Sequence, residues 1–435
     1  MSYREFLESK KKPPELIGPA VEPGDCNPTL FDWQAAVVSW AVRTGRGAIF
    51  ADCGLGKSFM QLEWARLAAG RTLILAPLSV ARQTVREAQK LGTPTAYVRS
   101  QDAVTGDGVW VTNYEMAHQF DADQFGAVVL DESSILKNVD GRTRQWLTAQ
   151  WARTPLRLAC TATPAPNDIT ELTNHAEFLG KMHRAEMLAF YFVNDEFHGR
   201  TRWRLKGHAH DAFYEWMAGW ATALRRPSDL GWDDTGYDLP PLTIHAEVVN
   251  VDVAADEGQL FPTLGGVSGR AKVRKGSLTA RVERAAELAA GPDQWIIWCG
   301  LNDEADAITD AVPGAVNVEG SWAPDAKAEA LEAFQDGQIR VLVTKPSIAG
   351  FGMNFQNAHR MVFLGIGDSY EAYYQAVRRC WRFGQRHPVD VHIVVSELEQ
   401  EIVRNVREKE HQSSAFTDGL IRYANVRRSD VHCPA

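Results

Sequence analysis

The string ADCGLGKS, residues 51–58, sets two glycines, a lysine and a hydroxyl residue at the spacing of a phosphate-binding loop. Gly54 and Gly56 let backbone N–H groups curl around phosphate oxygens, and a helix N-terminus after them adds positive potential. Lys57 would reach the β- and γ-phosphates, and the Ser58 hydroxyl would hold Mg2+. Ala51 stands where the common pattern has its first glycine, and a small residue fits there. Read alone, the string could be only a glycine-rich turn. AVVLDESSILKN, residues 127–138, adds an apolar strand ending in Asp131 and Glu132. Asp131 would orient Mg2+ through its water shell, and Glu132 would polarise an attacking water. Its bland reading is a surface turn with two acids and two serines. CTATPAPND, residues 160–168, ends another strand in Thr161 and Thr163 before Pro164, a tip that can sense a γ-phosphate.

Farther on, YYQAVRRCWRFGQRHP spans residues 373–388. Gln375, Arg379 and Arg382 recur at spacings of four and three, which places them on one face of a helix. Two arginines so presented could neutralise charge on a transferred phosphoryl group. They could equally pair with surface acids. Just before, KPSIAGFGMNFQNAHRMVFLG (345–365) offers a Gly-x-Gly turn leading into an apolar strand, suited to close backbone approach.

The elements that must carry these residues alternate. Strand candidates are GAIFA, TLILAP (72–77), VWVTNY (109–114), AVVLDES (127–133) and LRLACTAT (156–163). Helices over Val80–Leu91 and Arg142–Trp151 fit between them, giving a βαβ rhythm and a parallel sheet. Residues 181–235 change character, with aromatic and basic segments such as FYEWMAGWATALRR that read as helices, and GYDLPPL reads as a linker. A second alternating region follows, with strands WIIWCG, AVNVEG, VLVTKP, MVFLG and VHIVVS and helices near 278–290, 302–311, 324–336 and 370–380. The expected organisation is α/β, two parallel-sheet lobes with a helical insert between them: 1–180, an insert and linker over 181–240, 241–412, and a tail over 413–435. Residues 256–277 read as a loop.

Composition narrows the classes. A length of 435 residues with 45% hydrophobic and 23% charged residues suits two globular domains. No apolar run is long enough to span a membrane, and the charged N-terminus lacks a signal-like core, so no membrane partner is expected. The six cysteines are scattered without zinc-site spacing and read as reduced thiols in a cytoplasmic protein. A net charge of −9 argues against coating nucleic acid, but basic residues bunch at 200–206, 224–227, 270–284 and 378–387. Each bunch could be a solvated face or part of a groove that grips phosphates. Arg202, Trp203, Arg204, Lys272, Arg274 and Lys275 are the candidates for nucleic-acid contact. Trp216 and Trp220, four apart, read as core residues, whereas Trp203 lies between arginines.

Taken in order, LFDWQAAVVSW, ADCGLGKS, LILAPLSVARQTVRE, VTNYEM, LDESSILKN, CTATPAPND, KPSIAGFGMNF and QAVRRCWRFGQ resemble helicase superfamily 2, and most closely its Swi/Snf-like DNA translocase branch. The resemblance runs over residues 29–400. It implies two RecA-like lobes, ATP with Mg2+ in the cleft between them, and DNA, duplex or branched, held through its backbone without regard to sequence. It implies that Gln34 reads adenine, that Thr161 and Thr163 couple the sites, and that Gly352 and Asn354 form a second-lobe motif meeting DNA and nucleotide. Gln375, Arg379 and Arg382 then match the finger motif, with Lys57, Glu132, Arg379 and Arg382 catalytic, and Ser58 and Asp131 on the metal. The acidic box departs from the family, reading Asp-Glu-Ser-Ser where Ala-Asp, Ala-His or Gly-His are commoner. The short insert points to a compact translocase of a bacterial or phage-infected cell. An RNA-directed helicase and an ATP-gated scaffold with little turnover are the competing readings.

Overall fold

The computed structural model describes residues 16–68, 70–197, 200–250, 276–349, 353–367 and 369–431. The chain divides into two units, one formed by residues up to Thr235 together with those from His411 onward, the other by Gly236–Glu410.

In the first unit the strands are β1 (Arg46–Ala51), β2 (Arg71–Ala76), β3 (Thr95–Tyr97), β4 (Gly108–Asn113), β5 (Ala127–Asp131), β6 (Leu156–Cys160), β7 (Phe192–Phe197), β8 (Arg200–Leu205) and β9 (Ala221–Leu224). Seven of them make one sheet in the order β3-β4-β2-β5-β6-β1-β9, and every pairing in it is parallel. β5 and β6 are buried along their whole length. Continuous apolar runs of that kind suit strands covered on both faces, which is why they read as a parallel sheet in the sequence. Helices Lys57–Leu67, Leu78–Lys90 and Arg142–Gln150 make the crossovers.

The segment 181–240 contains more than helices. Helices Arg184–Tyr191 and His210–Met217 are present, but β7 and β8 form an antiparallel hairpin between them. The run FYEWMAGWATALRR stops being helical at Met217, and Ala221–Leu224 becomes β9 on the edge of the sheet. Tertiary pairing overrides the helical propensity there: the Ala48 N–H donates to the Trp220 carbonyl at 2.8 Å and the Asp52 N–H to the Leu224 carbonyl at 2.9 Å. Trp216 and Trp220 are both core residues, their rings edge to face with centroids 5.3 Å apart.

The tail, which offers no sequence signal, belongs to a helix Gln400–Val431. Its Phe416, Leu420 and Ala424 are buried in the first-unit core beside Phe213 and Tyr214. Gly419 permits that approach, since a Cβ there would lie 2.5 Å from the Tyr214 ring.

In the second unit, β10 (Leu242–Val249), β11 (Trp295–Cys299), β12 (Ala315–Asn317), β13 (Val341–Thr344), β14 (Arg360–Leu364) and β15 (Val389–Ser396) form a sheet in the order β10-β15-β14-β11-β13-β12. It too is parallel throughout. Alternate residues of β11 and β14 feed opposite cores. Ile296, Trp298, Met361 and Phe363 pack on one face, and Trp295, Ile297, Val362 and Leu364 on the other. The architecture is therefore α/β with two RecA-like parallel-sheet lobes. Residues 251–275 lie outside the described residues, and with them most of the loop expected over 256–277, whose last residue, Ser277, is the N-cap of the helix Leu278–Leu288. Among the described residues no helix is long and apolar enough to cross a membrane, and the five described cysteines are free thiols.

One buried ion pair stiffens the second unit. Arg281 and Glu304 are 0% and 1% exposed and meet at 2.9 Å. The second Glu304 oxygen accepts from the Gly300 and Leu301 N–H groups at 2.9 and 3.0 Å, capping the helix Asn302–Ala311. Removing one partner strands the other charge in the core. Arg281→Leu should lower stability by about 3–5 kcal/mol, read from urea midpoints, with Arg281→Leu/Glu304→Leu less damaging than Arg281→Leu alone. An unchanged midpoint would show that the pair does not matter.

Candidate functional site

Strand β6 pairs with β5 on one side and β1 on the other. In a parallel sheet this brings the loops after β1, β5 and β6 side by side at the carboxyl edge, the ordinary place for ligands in such sheets. Those loops hold the phosphate-loop string, Asp131-Glu132 and Thr161-Thr163.

After β1 the chain curls through Gly54 at φ 89° and Gly56 at φ 72°, and Gly56 is the N-cap of helix Lys57–Leu67. No side chain caps that terminus, so its first N–H groups remain directed donors. The Lys57 ammonium donates to the carbonyls of Ala51 at 2.9 Å and Asp52 at 3.3 Å, inside the curl of its own loop. Ser58 follows it, half-buried, in the first helical turn. Gln34 is buried and grips the loop: Nε2 donates to the Leu55 carbonyl at 3.0 Å while Oε1 accepts from the Phe31 N–H at 3.1 Å. Helix Asp32–Thr44, which carries Gln34, is thereby fastened to the phosphate loop.

At the tip of β5, Asp131 is 3% exposed and accepts from the Glu132 N–H at 3.0 Å. Burial, and then the Glu132 charge, push the Asp131 carboxyl up to about 7, opposed by Gln61, Lys57 and the Glu132 backbone. The fully buried Gln61 carboxamide lies near this group without a formed hydrogen bond. A buried carboxyl whose charge is disfavoured by a second acid is suited to a divalent cation, which relieves both costs. Asp131 and the Ser58 hydroxyl supply the hard oxygen donors that Mg2+ takes, so these residues fit the ion.

Glu132 connects to the third tip. The Thr161 hydroxyl donates to Glu132 Oε2 at 3.3 Å and accepts from the Thr163 N–H at 3.1 Å. Thr161 and Thr163 are both buried. The three expected groups of the first unit, Lys57-Ser58, Asp131-Glu132 and Thr161-Thr163, thus share one edge. Two further residues join the edge without having been expected as site residues. Tyr114, just after β4, donates to the Asp131 carbonyl at 2.6 Å. His175, in helix Leu172–Phe178, places Nε2 3.1 Å from the Ser133 hydroxyl. Tyr114 lies in the string VTNYEM, which by itself gives it no role, and His175 lies in no distinctive string; only the packing brings them in.

In the second unit the helix carrying Gln375 runs Tyr370–Val377 and stops. Arg379 and Arg382 lie in the turn beyond it, so the three do not share a helical face as the spacing suggested. Arg378–Arg382 tighten into a turn because Phe355 N–H captures the Arg379 carbonyl at 2.9 Å. The arginines still converge, both donating to the Met353 carbonyl, at 3.1 Å from Arg379 and 3.3 Å from Arg382. Arg379 also donates to Gln375 Oε1 at 2.6 Å and to the Gln375 carbonyl at 3.0 Å, which fixes Gln375 beside it. Asn354 adjoins them, its side chain accepting from the Gln356 N–H at 3.2 Å. Gly352 lies outside the described residues.

Of the basic candidates, Lys272, Arg274 and Lys275 also lie outside the described residues. Arg202, Trp203 and Arg204 are on β8. Trp203 is half-buried and packs against the first-unit core, and Arg204 is ion-paired with Asp195.

Gly56 provides a sharp test. A Cβ at that position would come 2.5 Å from Gln34 Nε2, on a backbone at φ 72°. Gly56→Ala should therefore break the Gln34–Leu55 contact and weaken nucleotide binding by about tenfold or more, measured by titration with a fluorescent ATP analogue. Unchanged affinity would show that the curl of the loop is not required.

Residues 281–384 match the helicase conserved C-terminal domain. Protein p41 of Acyrthosiphon pisum secondary endosymbiont phage 1 is 24% identical over 463 residues, which cover 89% of this chain and 97% of that protein. Helicase swr-1 of Neurospora crassa is 26% identical over 209 residues, 41% of this chain and 11% of that protein. The chain thus spans nearly all of the phage protein and a small part of the fungal one. Among solved structures, the Sulfolobus solfataricus SWI2/SNF2 ATPase core in complex with dsDNA has a TM-score of 0.44 at 17% identity, with 93% of this chain and 96% of that one covered.

Proposed function

Because the chain belongs to helicase superfamily 2, in its Swi/Snf-like branch, we propose that it is an ATP-dependent DNA translocase or helicase that moves along duplex or branched DNA. The observation that carries this reading is the convergence of Lys57, Asp131, Glu132 and Thr161 on one sheet edge, with Thr161 bonded to Glu132. Lys57 and the uncapped N–H groups of its helix would hold the β- and γ-phosphates. Gln34 would face the adenine while keeping the loop in shape. Ser58 and Asp131 would hold Mg2+, which neutralises phosphate charge when bound. Glu132 would accept a proton from the attacking water. The second unit would supply Arg379 and Arg382 to the γ-phosphate, where a guanidinium stabilises the charge that develops in transfer. Thr161 and Thr163 would pass the presence of that phosphate to the DNA-bound surface.

The DNA would be held by its phosphates, with affinity that falls as salt rises and does not depend on sequence. Asn354 and the basic residues of β8 are the proposed contacts, with Lys272, Arg274 and Lys275 further ones. The likeness to the phage protein supports placing the activity in the cytoplasm of a bacterial or phage-infected cell.

Steady-state ATP hydrolysis without nucleic acid, and with duplex DNA, single-stranded DNA or RNA, tests this. Duplex DNA should stimulate most. Lys57→Ala should abolish turnover, and Arg382→Ala should lower kcat by about a thousandfold. Stimulation by RNA alone would make the protein an RNA-directed helicase. ATP binding without turnover on any nucleic acid would make it a gated scaffold.

A further inference from the structure

Glu132 is the one non-glycine residue with a positive φ among the described residues, at φ 51° and ψ 54°. The left-handed region disfavours an L-residue with a long side chain, and such a residue stays there where its surroundings over-determine it. Part of that restraint is local. The Ile135 N–H donates to the Glu132 carbonyl at 3.2 Å, and the Ser134 hydroxyl approaches the same carbonyl at 3.5 Å. These contacts close the turn on itself and do not tie it to the rest of the unit.

Asn174 ties the far end of the turn, donating to the Leu136 and Lys137 carbonyls at 2.8 and 3.2 Å, and Thr161 meets the Glu132 carboxylate. Ser133 makes the outside tie next to the Glu132 backbone. Its hydroxyl lies 3.1 Å from His175 Nε2, and both residues are fully buried. The His175 ring also meets the Phe50 ring edge to face, with centroids 5.5 Å apart at 84°. Phe50 belongs to β1, directly before the phosphate loop. One buried imidazole therefore touches the approach to the phosphate loop and the turn that carries Glu132.

This histidine is costly where it sits. Its Nδ1 lacks a well-aligned hydrogen bond, with the Glu171 backbone near the ring, and a buried polar group so poorly partnered destabilises the fold. Burial lowers its pKa to about 4, against opposing contributions from the backbones of Glu171 and Ser133, so the ring is neutral near pH 7. A leucine or phenylalanine would fill the same core position without that cost. The well-formed contact that only a polar ring can make is the one to the Ser133 hydroxyl.

We propose that His175 is a positioning residue of the nucleotide site, acting through Ser133 to hold Glu132 in its left-handed backbone and so keep the Glu132 carboxylate at the Thr161 hydroxyl. The proposal rests on the reading above, that Glu132 acts on ATP. His175 touches neither nucleotide nor water. Its effect is on the placement of Glu132, and so on the chemical step rather than on ATP binding.

The test compares Ser133→Ala, His175→Leu, His175→Gln and Ser133→Ala/His175→Leu with the wild-type chain and Lys57→Ala. Duplex-stimulated kcat, KM for ATP and thermal midpoint are measured on each. Ser133→Ala and His175→Leu should each lower kcat by about tenfold to a hundredfold, with KM within about twofold. The double variant should be no slower than the slower single one, because both remove the same contact. His175→Gln, which can still reach the hydroxyl, should recover most of the rate. Ser133→Ala with full kcat overturns the proposal, as do losses that multiply in the double variant or a midpoint shift with normal kcat in the folded fraction. Should His175→Leu fail to fold, Ser133→Ala against His175→Gln gives the same decision. A wild-type chain no faster than Lys57→Ala removes the underlying reading and the proposal with it. A normal wild-type rate beside an unaffected Ser133→Ala removes the proposal alone.

Discussion

The pairing of β6 with both β5 and β1 is the constraint from which the site follows. Each of those strands ends in chemically useful residues, and parallel pairing makes their ends coincide. Had β5 paired elsewhere, Asp131 and Lys57 would be ordinary surface residues of separate loops. The register carries the detail. Asp131 and Ile49 both align with Cys160, so the acids, the threonines and the phosphate loop begin at one level. β9 completes this frame by covering the outer edge of β1, with Asp52 N–H on the Leu224 carbonyl at the mouth of the loop.

Charge is arranged around that edge at a cost to the fold. Asp131 is buried with its acidity weakened by its neighbour Glu132, a pairing that a packed core does not need. Tyr114, bonded to the Asp131 carbonyl, is pushed well above its usual pKa, first by burial and then by the two acids. Cys160, beneath them, is raised for the same reasons. Such a concentration of disfavoured negative charge in an otherwise apolar sheet is what a cation would relieve, and perturbed groups cluster at sites of function more than elsewhere. The Arg281–Glu304 pair in the second unit shows the contrast. There two buried charges satisfy each other and the backbone, and the result is structural.

Much of this was legible because it is local. The phosphate-loop string, the acidic strand tip and the apolar runs of β1, β2, β5, β6, β11 and β14 each announce themselves within a few residues. What stayed hidden depends on pairing or packing. ATAL in 221–224 reads as part of a helix until the bare edge of β1 is known to lie beside it. Arg379 and Arg382 match a helical spacing, yet the Phe355 backbone draws them into a turn, and they converge through the Met353 carbonyl instead. The tail gains its meaning from Tyr214, far away in the chain, whose ring accepts Gly419 at close range. His175 sits in an unremarked helical stretch, and its contact with Ser133 appears only once the helix Leu172–Phe178 has packed against the tip of β5.

On the proposed function, the three strand tips form one hydrolytic site in which binding and chemistry reside in different residues. Glu132→Gln separates them most directly, because it keeps the shape of the side chain and removes the base. The measurement is Mg2+-dependent ATP affinity by equilibrium titration alongside duplex-stimulated turnover on the same protein. ATP affinity should stay within about threefold of wild type and turnover should fall by about a hundredfold or more. Turnover at the wild-type rate, with ATP affinity intact, would contradict this division of roles and remove Glu132 from the chemistry.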